Sequence, residues 1–199
     1  WSSDVCSSDL SVAVTASGPV NEGSTYAMFT VDATVGQALT LTLGNTATSA
    51  DTDATIAGFT PLQYSVDGGA TWTTYTWNGT TGNQPTVPAG GKVFVRVNVT
   101  SEADTTYEGA ETFTLTAAIA TGAGKSSSGT ATIVDDGTGT KYDGTITSGT
   151  INGSTTSLDN DLSVAVTASG PVNEGSTYAM FTVDATVGQA LTLTLGNTA

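Results

Sequence analysis

The side chains of this sequence that could bind or activate something are carboxylates, and they gather in four short clusters. These are "NEGS" with Glu22, "DTD" with Asp51 and Asp53, "SEADTTYEGAE" with Glu102, Asp104, Glu108 and Glu111, and "VDDG" with Asp135 and Asp136. Each cluster stands where an alternating apolar run begins or ends. A calcium ion takes roughly six to eight oxygen ligands at about 2.3–2.6 Å, and loops at one end of a folded domain supply them from distant points in sequence. Without a cation, neighbouring carboxylates repel and raise one another's pKa. A bound ion removes that penalty and stabilises only the folded form. A single acid in a loop is ordinarily just solvated; four clusters at strand ends favour a shared site.

Composition narrows the chemistry further. Histidine is absent and Cys6 is the sole cysteine. That removes zinc sites and the Ser-His and Cys-His nucleophiles. A metal here is held by oxygen, which means calcium or, less readily, magnesium. The net charge of −14, from 18 acidic and 4 basic residues, repels nucleic acid and anionic membranes. No apolar stretch approaches the roughly 18 residues of a spanning helix, so no membrane insertion is expected.

Two other motifs compete for attention. "SVDGGATW", Ser65 to Trp72, fits the Asp-box pattern of sialidase hairpins. A sialidase fragment needs several such boxes and a cluster of arginines; this chain has one box and one arginine, Arg96. A hairpin turn capped by Asp67 is the simpler account, and no enzyme activity is expected. "TWTTYTW" places Tyr75 and Trp77 on one face and Trp72 on the other, so Tyr75 and Trp77 offer a stacking surface for a glycan if exposed. Three N-x-S/T acceptors, at Asn78, Asn98 and Asn152, are expected to stay unmodified.

The elements that must position the acids read as strands throughout. In "KVFVRVNV", Val93, Val95, Val97 and Val99 share a face opposite Lys92, Phe94, Arg96 and Asn98. "TFTLTAAI" aligns Phe113, Leu115, Ala117 and Ile119; "TYAMFTV" aligns Ala27, Phe29 and Val31; "ALTLTL" aligns Leu39, Leu41 and Leu43. Shorter runs add Val12 with Val14, Leu62 with Tyr64 and Val66, and Ala131 with Ile133. Seven or eight such strands predict an all-β fold, an immunoglobulin-like antiparallel β-sandwich.

A repeat sets the domain boundaries. Residues 11–47 recur letter for letter at 163–199, an offset of 152 from Ser11 to Ser163. Tandem duplication of a whole domain follows. The expected organisation is a complete sandwich at 11–136, an inter-repeat linker at 137–162, and the first third of an identical repeat at 163–199. The linker is rich in Gly, Thr and Ser, although its "GTITSGTI" has the alternation of a short strand. The second copy lacks most partner strands, so poor order or pairing with an edge of the first sandwich is expected.

"VNEGSTYAMFTV" followed by "YEGAETFTLTAAI" and "SGTATIVDDG" resembles a Calx-beta domain. That immunoglobulin-like module occurs in sodium–calcium exchangers, in an integrin and in very large bacterial surface proteins. The resemblance covers 11–137 and part of 163–199. It implies calcium ligands at Glu22, Asp104, Glu108, Glu111, Asp135 and Asp136, with Asp51 or Asp53 replacing an absent "D-Y" loop. Of these two, Asp53 is taken as the candidate. Gly137 stands where the fullest sites carry a third aspartate, and Ala103 where strong binders often carry another. Fewer ions and weak affinity, about 10⁻⁴–10⁻³ M, are therefore expected.

The opening stretch, "WSSDVCSSDL", is unlike everything after it. An upstream continuation of the repeat would make residues 1–8 resemble "GSTTSLDN" at 153–160, and they do not. Trp1 to Leu10 instead resembles a translated short-read sequencing adapter, which sets 1–10 aside as non-native and the chain as a metagenomic fragment. Without Asp4 and Asp9 the net charge moves from −14 to −12. The match of Asp9-Leu10 to Asp161-Leu162 is then coincidence or a read overlap. The expected role is a structural, adhesive repeat of a giant bacterial surface or secreted protein: a calcium-stiffened spacer whose immediate partners are neighbouring repeats. Other domains would meet the cell-surface or glycan target. Glycan binding by Tyr75 and Trp77 is the alternative.

Overall fold

The structure is a computed structural model, and it describes residues 10–45, 58–120 and 124–196. Residues 1–9 and the candidates Asp51 and Asp53 lie outside the described residues.

Alternation becomes layering. Val93, Val95, Val97 and Val99 are all fully buried, as are Ala27, Phe29 and Val31. Among the described residues, the strands in chain order are β1 (Val12–Ala16), β2 (Pro19–Asn21), β3 (Tyr26–Ala33), β4 (Leu39–Asn45), β5 (Leu62–Ser65) and β6 (Thr73–Thr74). They continue with β7 (Lys92–Asn98), β8 (Glu111–Ile119), β9 (Ser126–Val134), β10 (Ile146–Thr147), β11 (Thr150–Ile151), β12 (Val164–Ala168) and β13 (Phe181–Ala185). No helix is present among them, and so none long and apolar enough to cross a membrane.

Two sheets face each other, ordered β1-β3-β7-β5-β6 and β2-β9-β8-β4. All neighbours are antiparallel except β2, which runs parallel to β9. That division of strands is the immunoglobulin layout, with β2 as the short strand that crosses to the second sheet. Phe113 anchors the interior: its ring meets Phe29 edge-on at 5.8 Å and Phe59 at 4.8 Å. Among the described residues nine strands build this sandwich, against the seven or eight expected. The two that periodicity misses, β2 and β6, are three and two residues long, too short to show a period.

The stretch 137–162 lies along the sandwich. Thr140 pairs with Val20 in parallel, extending the β2 edge, and Thr140 N donates to Pro19 O while Asn21 N donates to Thr140 O. Tyr142 is buried, and its hydroxyl donates to Ser17 O. The "GTITSGTI" run forms the β10–β11 pair, whose Ile146 and Ile151 pack against the core.

The second copy keeps only what it can satisfy by itself. β12 pairs with β13 in the register of β1 with β3: Val164 opposite Ala185, as Val12 is opposite Ala33. Among the described residues its strands pair with each other and not with an edge of the first sandwich. The counterpart of β2, at Pro171–Asn173, is not a strand, because β9 has no equivalent there. The counterpart of β4 is likewise irregular over its described residues.

Candidate metal centre

The parallel pairing of β2 with β9 creates the site. Asn21 is level with Val134, and Glu22 N donates to Val134 O, so the next residues, Glu22 and Asp135, emerge side by side. Glu111, opening β8, sits opposite Ile133 of β9 and adds a third carboxylate. Glu102 and Asp104 arrive from the turn after β7, where Glu102 N donates to Val99 O and Asp104 N to Glu22 Oε1 at 2.8 Å. Glu108 N donates to Asp135 Oδ2 at 2.7 Å.

Glu22, Glu102, Glu108, Glu111 and Asp135, with Gly109 and Ile133, line a cavity of about 10 Å³. That is room for about one water or small ion. Glu22 is 3%, Glu102 2% and Asp135 2% exposed. Buried acids ordinarily carry a partner for every oxygen, yet Glu111 Oε1, Asp135 Oδ1 and Asp161 Oδ2 are buried without a hydrogen-bond partner. Carboxylate oxygens of Glu22, Asp104 and Asp161 also lie within 4.8 Å of one another. Desolvation, opposed by the Asp104 N–H and reinforced by Asp161, Asp135 and Asp159, pushes the Glu22 pKa up to about 7. Burial first, then Asp159, Asp135 and Asp104, raises that of Asp161. An all-oxygen, acid-rich cleft with orphaned oxygens fits a hard cation such as calcium.

The sequence-derived candidates divide accordingly. Glu22, Glu108, Glu111 and Asp135 share the cavity, and Asp104 joins Glu22. Asp136 is exposed and turned away, accepting from Thr138 N at 3.0 Å in a local turn. Asp53 lies outside the described residues. Gly137, where a third aspartate was the fuller pattern, has φ +77°, and a Cβ there would come within 2.9 Å of Asn160 Nδ2. An aspartate there would be strained at this positive φ and would have to displace the Asn160 side chain. Asp161 was absent from the candidates because it falls in the stretch read as linker. Its one signal was the shared "DLS" ahead of the first strand of both copies.

The other motifs are structural in their contacts. Asp67 accepts from Ser65 Oγ at 2.7 Å and Thr71 N at 2.9 Å, closing the turn of the Asp-box hairpin. Arg96 is stacked between Tyr26 and Trp72, 4.2 Å from each ring centroid. Tyr75 is half-buried and accepts the Leu41 N–H on its phenol oxygen at 3.0 Å; Trp77 is also half-buried. The ring pair that would stack on a glycan if exposed is therefore partly built into the fold.

No protein-family profile matches the chain, and no curated protein matches it. A similar solved structure is that of AggA, the major subunit of aggregative adherence fimbriae type I from Escherichia coli. It is 16% identical over 63% of this chain and 95% of that one, with a TM-score of 0.36, too low to carry fold or function across.

Proposed function

We propose that this chain is a structural, non-catalytic repeat of a very large bacterial cell-surface or secreted protein, a Calx-beta-like module that binds calcium at one pole and serves as an extended spacer. The observation that supports it most is the carboxylate of Asp135, which is buried at 2% exposure with Oδ1 lacking any hydrogen-bond partner, in a cleft shared with Glu22, Glu108 and Glu111. Glu22, Asp104, Glu111 and Asp135 would hold the ion, and its charge would offset their mutual repulsion. The letter-for-letter repeat of 11–47 supports a tandem shaft rather than a solitary sensor. Neighbouring repeats are the immediate partners; contact with a cell-surface or glycan target belongs to other domains of the protein.

Thermal unfolding of the chain in chelator and in millimolar calcium tests the reading. At the roughly one- to tenfold excess over Kd that millimolar calcium gives a weak site, the ion should stabilise the sandwich by about 0.4–1.4 kcal/mol, a rise of a few degrees in Tm. An unchanged Tm would sink the metal assignment.

A further inference from the structure

One acid in the cluster does not belong to the sandwich. Asp161 stands two residues ahead of Ser163, the first residue of the second copy's repeat. Its backbone N–H donates to Asp135 O at 2.9 Å, and Asn160 bridges Asp136. Its carboxylate joins Glu22 and Asp104, with Oδ2 buried and unpartnered. Its carbonyl oxygen accepts from Thr186 Oγ1 of the second copy at 3.2 Å. One residue therefore reaches the acidic cluster with its side chain and the next repeat with its backbone.

Asn21 fixes that reach. It is wholly buried, and its amide Nδ2 donates to Thr138 O and to Asp159 O, each at 3.0 Å. Its Oδ1 accepts from Asp159 N at 2.8 Å and Gly23 N at 3.2 Å. Both ends of the 138–159 excursion are thus tied to the residue next to Glu22. The clamp sets Asp159 and, two residues on, Asp161 beside the cluster.

Resting on the calcium reading above, we infer that Asp161 is a ligand supplied by the junction, so that the cation is held jointly by the sandwich and by the segment leading into the next repeat. Ion binding and docking of the junction are then one event. Without the ion, Asp161 adds charge to a cluster that already repels it; with the ion, the same charge draws the junction in. By linkage, whatever holds the junction in place strengthens calcium binding by the same factor.

The test uses the whole chain and calcium chloride. Titration calorimetry compares the unsubstituted protein with Asp161→Asn and with Asp184→Asn, an equal charge change on an exposed residue of the second copy. Amide hydrogen exchange over 137–163 is followed in calcium and in chelator. Asp161→Asn should weaken calcium binding about 10-fold or more, and Asp184→Asn should leave it unchanged. Calcium should slow exchange of the Asp161 and Lys141 amides in the unsubstituted protein and much less in Asp161→Asn. A melt in chelator shows that Asp161→Asn is folded, with a Tm no lower than the parent. If the parent binds calcium and Asp161→Asn binds it equally well, or if junction amides exchange alike with and without calcium, the inference is overturned and the calcium reading stands. If the parent shows no binding, both fall.

Discussion

At the scale of single residues, burial and charge pull in opposite directions at this pole. Glu22 titrates near 7 rather than at its ordinary 4.5. Its folded pKa is raised, so the stability it contributes is full below about pH 4.5 and lost as pH climbs through about 7. In chelator the protein should be more stable at pH 5 than at pH 8, by on the order of 3 kcal/mol from this group. Urea titrations at the two pH values check it, and millimolar calcium should narrow the difference. Asp135→Asn separates structure from binding. The amide keeps the shape and an acceptor for Glu108 N, so the metal-free Tm should hold or rise, while the calcium-induced rise should vanish. The pole carries no catalytic machinery in this reading; its acids matter through the ion they favour.

At the scale of elements, the chain contains its own comparison. Residues 11–44 and 163–196 share a sequence, yet among the described residues β2 and β4 form only in the first copy, where β9 and β8 are present to pair with them. β3 is eight residues long, seven of them paired with β7; β13 keeps only the five that face β12. Strand content here follows the partner more than the local sequence. That explains what was legible. Long runs such as "KVFVRVNV" announce themselves because period-two burial is written into them, and Phe113, Leu115, Ala117 and Ile119 were readable as one buried face. The parallel β2–β9 pairing was not, since three residues carry no period, and with it went the reason Glu22 and Asp135 meet. Asp161 was hidden for the same cause: its segment is largely polar, and it packs through backbone bonds, one buried tyrosine, Tyr142, and two isolated isoleucines, Ile146 and Ile151, rather than through a long apolar stripe. Gly144 tests that packing. At φ +89°, a Cβ there would come 2.5 Å from Arg96 Nη1 and 3.1 Å from the Tyr26 ring. Gly144→Val should lift the β10–β11 pair from the Tyr26–Arg96–Trp72 stack, cost about 1–3 kcal/mol, and shift Trp72 fluorescence.

At the scale of the whole molecule, the sandwich is closed, and the second copy over its described residues is an open β12–β13 hairpin. Val164, Val166, Phe181, Leu193 and Leu195 are exposed, whereas their first-copy equivalents face the sandwich interior or its margin. Phe113→Ala should cost about 3–5 kcal/mol in the first unfolding transition. A chain ending at Leu162 should retain that transition to within about 0.5 kcal/mol, because among the described residues β12 and β13 pair only with each other. Differential scanning calorimetry distinguishes the two outcomes. The identical registers of β1–β3 and β12–β13 carry a last consequence, for assembly rather than stability. In an array of such repeats, β7 of one unit accepts β3 of its own unit or of any other with equal fit, since no side chain differs between them. An array released from denaturant all at once would therefore sort its hairpins by proximity and chance, and exchanged pairings are its characteristic error. A chain that emerges from one end meets β3 before any competing copy exists. Correct pairing among identical repeats is then a matter of timing.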